Sequence, residues 1–216
     1  MKNKYNSDYY ERGKELGISG YSNYRWLPNL TIPMCEKIIS HLGITKEHLI
    51  LDFGCAKGFV VKAFKDLGYQ CFGTDISEYA LSKSPDDIKE NLNFYQGDKS
   101  LSELLSKTDI DKFDFIISKD VFEHIPYDEI EEIIFTLSKY CRKLFCVMPL
   151  GKDGKYIVPD YENDITHIIR EDINWWKAIF ERCNFKIIKQ SYLLDGVKDN
   201  WKQYEKGNGF FILESN

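Results

Sequence analysis

From Leu49 onward, short apolar runs alternate with amphipathic stretches. The runs near 48–53, 70–75, 92–95, 113–118 and 142–149 are short and rich in branched and aromatic residues, which predicts buried strands. Between them apolar residues recur at helical spacing. Phe59, Val60, Ala63, Phe64 and Leu67 mark a helix over 58–67, and the same reading predicts helices near 77–83, 100–106, 127–139 and 171–183. Strand–helix alternation of this kind predicts an α/β fold, a doubly wound and mostly parallel sheet with helices on both faces. Further strands near 185–193 and 208–214 bring the sheet to seven, with Gly207 and Gly209 at the start of the last.

Two segments fall outside this rhythm. Residues 1–32 are polar but carry Tyr5, Tyr9, Tyr10, Tyr21, Tyr24 and Trp26. That composition has something to bury, so it is read as an N-terminal aromatic cap over the strand tips, with some helix at Ser7–Leu16. Pro33 then starts a helix to about His41 and opens the main domain, 33–216. The second segment, Leu150–His167, is an insertion after the fifth strand, turn-rich at Gly151–Lys155. It is read as part of the substrate pocket, with a solvated excursion as the alternative.

The junction Leu49-Ile50-Leu51-Asp52-Phe53-Gly54-Cys55-Ala56-Lys57-Gly58 holds the most chemistry. An apolar strand ends in an acid, and a small-residue turn leads straight into a helix. Such a turn lets a ligand approach the backbone closely, beside the first helical N–H groups. About 20 residues past the turn, the next strand ends in Asp75, where a carboxylate can accept hydrogen bonds from both ribose hydroxyls of a nucleoside. The pair implies an adenosine-type cofactor. The spacing is not the G-x-G-x-x-G of a pyrophosphate site. An acid at Asp52 repels a pyrophosphate but favours an ammonium group.

Composition narrows the partners. The chain has 216 residues, a net charge of −5 and 43% hydrophobic residues. Mean hydropathy is −0.41 and the pI is about 5.5. Length and composition suit one globular domain. There is no basic excess for a nucleic-acid substrate and no apolar run long enough for a membrane span. The N-terminus lacks the apolar core of a secretory signal. The six cysteines form no Cys-x-x-Cys pair and read as reduced, buried residues of a cytoplasmic protein.

At Asp52-x-Gly54-x-Ala56-x-Gly58 the sequence resembles the class I (Rossmann-like) S-adenosylmethionine-dependent methyltransferases, whose first motif is Asp/Glu-x-Gly-x-Gly-x-Gly; Ala56 departs from it. Gly73-Thr74-Asp75-Ile76-Ser77 is similar to the second motif and Tyr95-Gln96-Gly97-Asp98 to the third. Phe113–Ile125 resembles the fourth strand and the loop beside the methionine moiety, and Leu144–Pro149 the fifth strand. The resemblance implies an antiparallel last strand and a substrate entrance beside the insertion. For the cofactor it implies contacts from Asp52, Gly54, Cys55, Ala56, Gly58, Asp75, Ile76, Gly97, Asp98, Ser118 and Lys119. Tyr24 and Arg25 are candidates for a cover over the cofactor or for anchors of the arm.

Methyl transfer needs an acceptor held in line with the donor bond, and a base where the acceptor is a hydroxyl. His167 is the first candidate for base or acceptor-orienting residue, since its ordinary pKa suits neutral pH. His124 and Asp120 follow, while His41 and His48 flank the first strand on the wrong side. No metal site is legible: Asp114, Asp120 and His124 straddle a strand end, and nothing completes a ligand set. The acceptor is read as a small polar molecule, a sugar, nucleotide-sugar or metabolite, methylated on O or N. Gly20-Tyr21-x-x-Tyr24-x-Trp26 and Asp164-x-Thr166-His167 resemble methyltransferases of bacterial surface-glycan clusters. Two alternatives stay open: an NAD-dependent oxidoreductase on a similar sheet, and a non-catalytic module that binds S-adenosylmethionine.

Overall fold

The computed structural model describes residues 4–216, so the first three residues of the expected cap, which also open the expected signal-free N-terminus, lie outside the described residues. The chain runs α1 (Ser7–Glu11), α2 (Gly13–Leu16), α3 (Pro28–Leu42), β1 (Leu49–Phe53), α4 (Phe59–Asp66), β2 (Gln70–Asp75), α5 (Glu78–Ser82) and β3 (Leu92–Phe94). It continues through α6 (Asp98–Leu105), β4 (Phe113–Lys119), α7 (Ile130–Tyr140), β5 (Cys141–Pro149), the two-residue strands β6 (Gly151–Lys152) and β7 (Lys155–Tyr156), α8 (Ile173–Arg182), β8 (Phe185–Ser191) and β9 (Asn208–Ser215).

Seven strands form one sheet in the order β3-β2-β1-β4-β5-β9-β8. β1 to β5 pair in parallel, and β9 lies antiparallel between β5 and β8. The architecture is the expected doubly wound α/β sheet with an antiparallel last strand. β1 is buried at all five positions, as a strand covered on both faces must be. Its residues alternate: Leu49, Leu51 and Phe53 join the core under α7 and α8 with Ile134, Trp176 and Phe180. Ile50 joins the opposite core under α3 and α4, with Ile38, Val61 and Phe64.

Strand order reverses between β1 and β4, which are hydrogen-bonded neighbours. A crevice opens beyond the strand C-termini at such a reversal, because the connecting helices leave toward opposite faces.

Three local expectations change. α3 begins at Pro28, not Pro33, because Pro28 occupies the first helical turn where its missing N–H costs nothing. Pro33 then lies inside the helix, whose buried Cys35 and Ile38 hold it against the sheet. The N-terminal helix is split at Arg12, where φ is −131°. The chain turns there to place Gly13 against Ser19; a Cβ on Gly13 would lie 1.8 Å from Ser19 Oγ. The insertion carries a small hairpin, β6 pairing with β7. All six cysteines are free and buried. Among the described residues no helix is long and apolar enough to cross a membrane.

Candidate functional site

A cavity of about 340 Å³ lies over the tips of β1, β2 and β4. That volume is within the range of small-molecule sites. Its floor is the turn after β1. Gly54 has φ +80°, and a Cβ there would lie 2.3 Å from Val121 Cγ2, so only glycine fits between turn and loop. Ala56 takes φ +49°, a left-handed conformation that costs a non-glycine residue on the order of 1 kcal/mol. Asp75 holds the turn in that shape: the Ala56 N–H donates to its Oδ2 at 2.7 Å, and the Ser77 N–H to its Oδ1 at 2.7 Å. The carboxylate also lines the cavity, where its remaining accepting capacity faces a ligand. Beside it, Thr74 Oγ1 is buried without a partner.

The walls are apolar and aromatic. Phe53, Ile76, Phe94, Tyr95, Ile125 and Ile133 line one side, with Gln96 and Gly97 at the edge of β3. A Cβ on Gly97 would meet nothing within 4 Å. Across from them stand Tyr5, Tyr9, Tyr10 and Tyr21 of the N-terminal segment. The cap is a mesh of rings (Tyr9 lies 5.1 Å from both Tyr5 and Tyr10) pinned to the turn by Lys57. The Lys57 ammonium, nearly buried, donates to Glu11 Oε1 at 2.5 Å and to the Tyr24 carbonyl at 2.6 Å. Sequence reasoning missed Lys57, which looks like a surface residue of a glycine turn until the cap folds over it.

The expected cofactor residues divide. Gly54, Ala56, Asp75, Ile76 and Gly97 line the cavity. Asp52, Cys55 and Ser118 are buried behind it. Gly58 packs toward Ile88 and Leu92 instead of the cavity. Asp98 points away: its side chain is 54% exposed and reaches toward Lys139. Arg25 is exposed, with one long contact to the Asn23 carbonyl, and does not meet the site. Tyr24 contributes through ring contacts with Tyr10, Tyr21 and Phe59. His41 and His48 lie away from the cavity, and His48 Nδ1 accepts from the Thr45 N–H at 2.9 Å. Asp114 sits at the far end of β4, accepting from the Leu49 N–H.

Burial dominates the electrostatics. It pushes the Asp52 carboxyl up to about 7; the Asp75 charge adds to the rise and Lys119 opposes it. Burial also raises Asp75, against the N–H groups of Ser77, Ala56 and Ile76. Asp120 goes the other way. Burial works to raise it, but Lys119 and Lys198 outweigh that and hold it well below the usual carboxylate range. Lys119 donates to its Oδ2 at 2.5 Å and Lys198 to its Oδ1. Asp120 lines the cavity as a fixed negative charge, with both oxygens engaged and no appetite for a proton. It is therefore the weakest of the three catalytic candidates. Asp120 (φ +57°) and Lys198 (φ +61°) both have left-handed backbones, so this ion pair is held at a conformational cost.

His124 and His167, 43 positions apart in the chain, come together with ring centroids 4.6 Å apart. The segment carrying His167 is clamped to the turn after β4, because the Ile168 and Ile169 N–H groups both donate to the Glu123 carbonyl, at 2.7 and 3.0 Å. The Thr166 hydroxyl donates to Asp164 Oδ1 at 2.6 Å, so its oxygen accepts from His124 Nδ1 at 2.8 Å. His167 Nδ1 donates to the Tyr161 carbonyl at 2.7 Å. Both rings therefore carry their proton on Nδ1 and present a bare Nε2. Burial lowers His124 to about 4, with His167 adding to the effect, and lowers His167 as well. Both imidazoles are neutral at pH 7. Ligand atoms of Glu123, His124 and His167 lie within 4.8 Å of one another, a grouping the sequence did not show.

An adenosine fits the first half of the site. A carboxylate with free lone pairs, an unpartnered buried hydroxyl, apolar walls and a wall without side chain at Gly97 match a ribose and a flat base. Residues 33–190 match the family model described as a methyltransferase domain. Two uncharacterized methyltransferases of Schizosaccharomyces pombe (strain 972 / ATCC 24843) are 35% identical over 96 residues, a stretch covering 43% of this chain and 63% of each relative. The match thus spans less than two thirds of those proteins. Among solved structures, a SAM dependent methyltransferase from Archaeoglobus fulgidus superposes with TM-score 0.61 at 17% identity, covering 86% of this chain and 94% of its own. Magnesium protoporphyrin IX methyltransferase from Synechocystis PCC 6803, with bound SAH, superposes with TM-score 0.60 at 16% identity, covering 88% and 83%. A putative methyltransferase in complex with the Haloferax volcanii Trm112 activator gives TM-score 0.62 at 14% identity, covering 94% and 92%. At these identities the superpositions speak for the fold.

Proposed function

The chain belongs to the methyltransferase-domain family, whose methyl donor is S-adenosylmethionine, and from that premise we propose that it methylates an oxygen or nitrogen of a small polar acceptor. The observation that carries this reading is the pairing of two half-sites in one cavity. One half, Gly54, Ala56, Asp75, Ile76 and Gly97, suits a nucleoside; the other, at His124, presents bare imidazole nitrogens.

S-adenosylmethionine, when bound, supplies an activated methyl on a sulfonium whose departure leaves a neutral thioether. The chain's own residues bind and orient. Asp75 accepts from the ribose hydroxyls while its other lone pairs keep the turn in place. Ile76, Phe94 and Tyr95 pack on the base. Asp120, locked between two lysines, supplies negative charge for the ammonium and sulfonium, and Asp52, behind the turn, adds to it once ionised above about pH 7. His124 and His167 receive the acceptor's hydroxyl or amine through Nε2. The described part of the cap, residues 4–32, closes the site against water with its tyrosines; aromatic faces of this kind also suit a sugar or nucleotide-sugar. The acidic charge argues against a nucleic-acid acceptor, and six free, buried cysteines suit a reducing, cytoplasmic setting.

The test is calorimetry of the full chain with S-adenosylhomocysteine and with NAD, followed by transfer from methyl-labelled donor to a panel of sugars, nucleotide-sugars and amines. Binding of S-adenosylhomocysteine, no binding of NAD and label transfer to one acceptor class support the reading. Preference for NAD overturns it, and binding without transfer to any acceptor reduces the protein to a binding module. If His167→Ala keeps full turnover at saturating acceptor, the histidine has no part in the chemistry.

A further inference from the structure

Glu123 is the least explained residue near the cavity. It is 1% exposed, and its Oε2 is buried with no hydrogen-bond partner. Leaving such an oxygen unsatisfied is costly in a folded protein. Its backbone carbonyl is used twice, by Ile168 and Ile169, so its position is fixed from both sides. The same carboxylate offers an oxygen to a cluster with His124 and His167, in which one ligand atom from each residue lies within 4.8 Å of the others.

The two imidazoles are prepared for the same task. Each has Nδ1 tied to an acceptor, the Thr166 hydroxyl for His124 and the Tyr161 carbonyl for His167, which leaves Nε2 of each ring without a proton and free to ligate. A histidine anchored through its far nitrogen to a carbonyl, or to a hydroxyl backed by a carboxylate, is the usual support of a metal ligand. Here Thr166 is backed by Asp164, which also accepts from the Tyr9 hydroxyl of the cap at 2.8 Å.

We propose that Glu123, His124 and His167 form a binding site for one divalent first-row transition cation at the wall of the cavity. Two imidazole nitrogens and one carboxylate oxygen select zinc, manganese, iron(II) or cobalt over magnesium and calcium, which take oxygen ligands. Three protein ligands leave coordination positions open, as in catalytic metal sites. His124 is the member that lines the cavity, so those positions adjoin the place assigned to the acceptor. This use of the cation, holding an acceptor oxygen beside the methyl donor, rests on the methyl-transfer reading; the binding itself does not. With the cation present the two histidines orient the acceptor through it and do not accept the proton directly.

The test uses the full chain, freed of metal by chelator and gel filtration, titrated with cobalt(II) and followed by visible d–d absorption, with zinc(II) and manganese(II) followed by calorimetry. S-adenosylhomocysteine affinity is measured on the same samples. The expected result is one cobalt per chain, displaced by zinc, with loss of the bands in Glu123→Gln and His167→Ala. Thr166→Val removes only the support behind His124 and is expected to weaken cobalt about 10–100-fold, the usual effect of losing an outer-shell partner. It also serves as the deciding variant if circular dichroism shows the other two unfolded. Absence of cobalt bands in the wild type, or equal affinity in wild type and Thr166→Val, overturns the proposal. A chain that binds S-adenosylhomocysteine but takes up no cobalt sinks the metal site alone, and one that takes up cobalt but binds no S-adenosylhomocysteine sinks the methyl-transfer reading alone.

Discussion

Replacing Asp52 with asparagine removes a carboxylate that the fold keeps at 5% exposure behind the cofactor turn. Burial, with Asp75 adding and Lys119 opposing, raises its pKa from 3.8 to about 7. A shift of that size disfavours the charged form by on the order of 4 kcal/mol. In the unfolded chain the carboxyl loses its proton near pH 4; in the folded chain it keeps it to about 7. Across that window the folded state holds more protons, so this group's contribution to stability falls as pH rises, and the loss is complete above about 7. Asparagine has no proton to lose. The variant's advantage over wild type is therefore absent near pH 4, grows through the window and levels off above it. The plateau lies below the full figure, since a buried amide brings its own unmet hydrogen bonds and Lys119 loses a counter-charge. A net gain of about 1–2 kcal/mol is expected. Urea unfolding of both proteins at steps from pH 4.5 to 8.5 measures the difference curve. Other buried groups shape each curve: His124 and His167, with lowered pKa values, remove stability as pH falls toward 4. They cancel in the difference. A pH-independent difference, or one that shrinks as pH rises, refutes the account. The same variant is expected to bind S-adenosylmethionine more weakly, trading affinity for stability.

Gly54→Ala puts a Cβ against Val121 on a left-handed residue and should cost about 2–3 kcal/mol in thermal or urea unfolding. Adding Val121→Ala should recover the steric part only, and full recovery would show that φ is unimportant there. Asp75→Ala removes the acceptor for the Ala56 and Ser77 N–H groups as well as for the ribose. S-adenosylhomocysteine affinity should fall at least about 100-fold by calorimetry, from the loss of two charge-assisted bonds; an unchanged affinity removes Asp75 from the site. Lys57→Met leaves Glu11 and the Tyr24 carbonyl without their shared cation. Amide exchange over residues 5–24 should quicken while β1 and β4 stay protected, and unchanged exchange means the tyrosine mesh holds the cap alone.

Local pattern determined much of this protein. The apolar run Leu49–Phe53, the turn that follows and the acid at Asp75 are legible because a strand's burial, a glycine turn's dihedrals and a strand-end carboxylate are encoded within a few residues. Both strand ends fell where the pattern placed them, and the order of strands and helices followed from alternation. Tertiary structure decided what the two ends of the chain bring to that platform. Arg25 and Asp98 look like site residues in sequence, yet one is exposed and the other pairs with Lys139, because the cap and α6 turn those side chains outward. Lys198 reaches Asp120 across 78 positions, and Thr166 reaches His124 across 42. Such meetings depend on the path of the insertion back over the strand tips and on which helix faces which strand, which hydrophobic periodicity does not encode. Sequence marks where a ligand can touch backbone. Only the folded chain, by closing distant segments around buried charge, determines which side chains face that ligand.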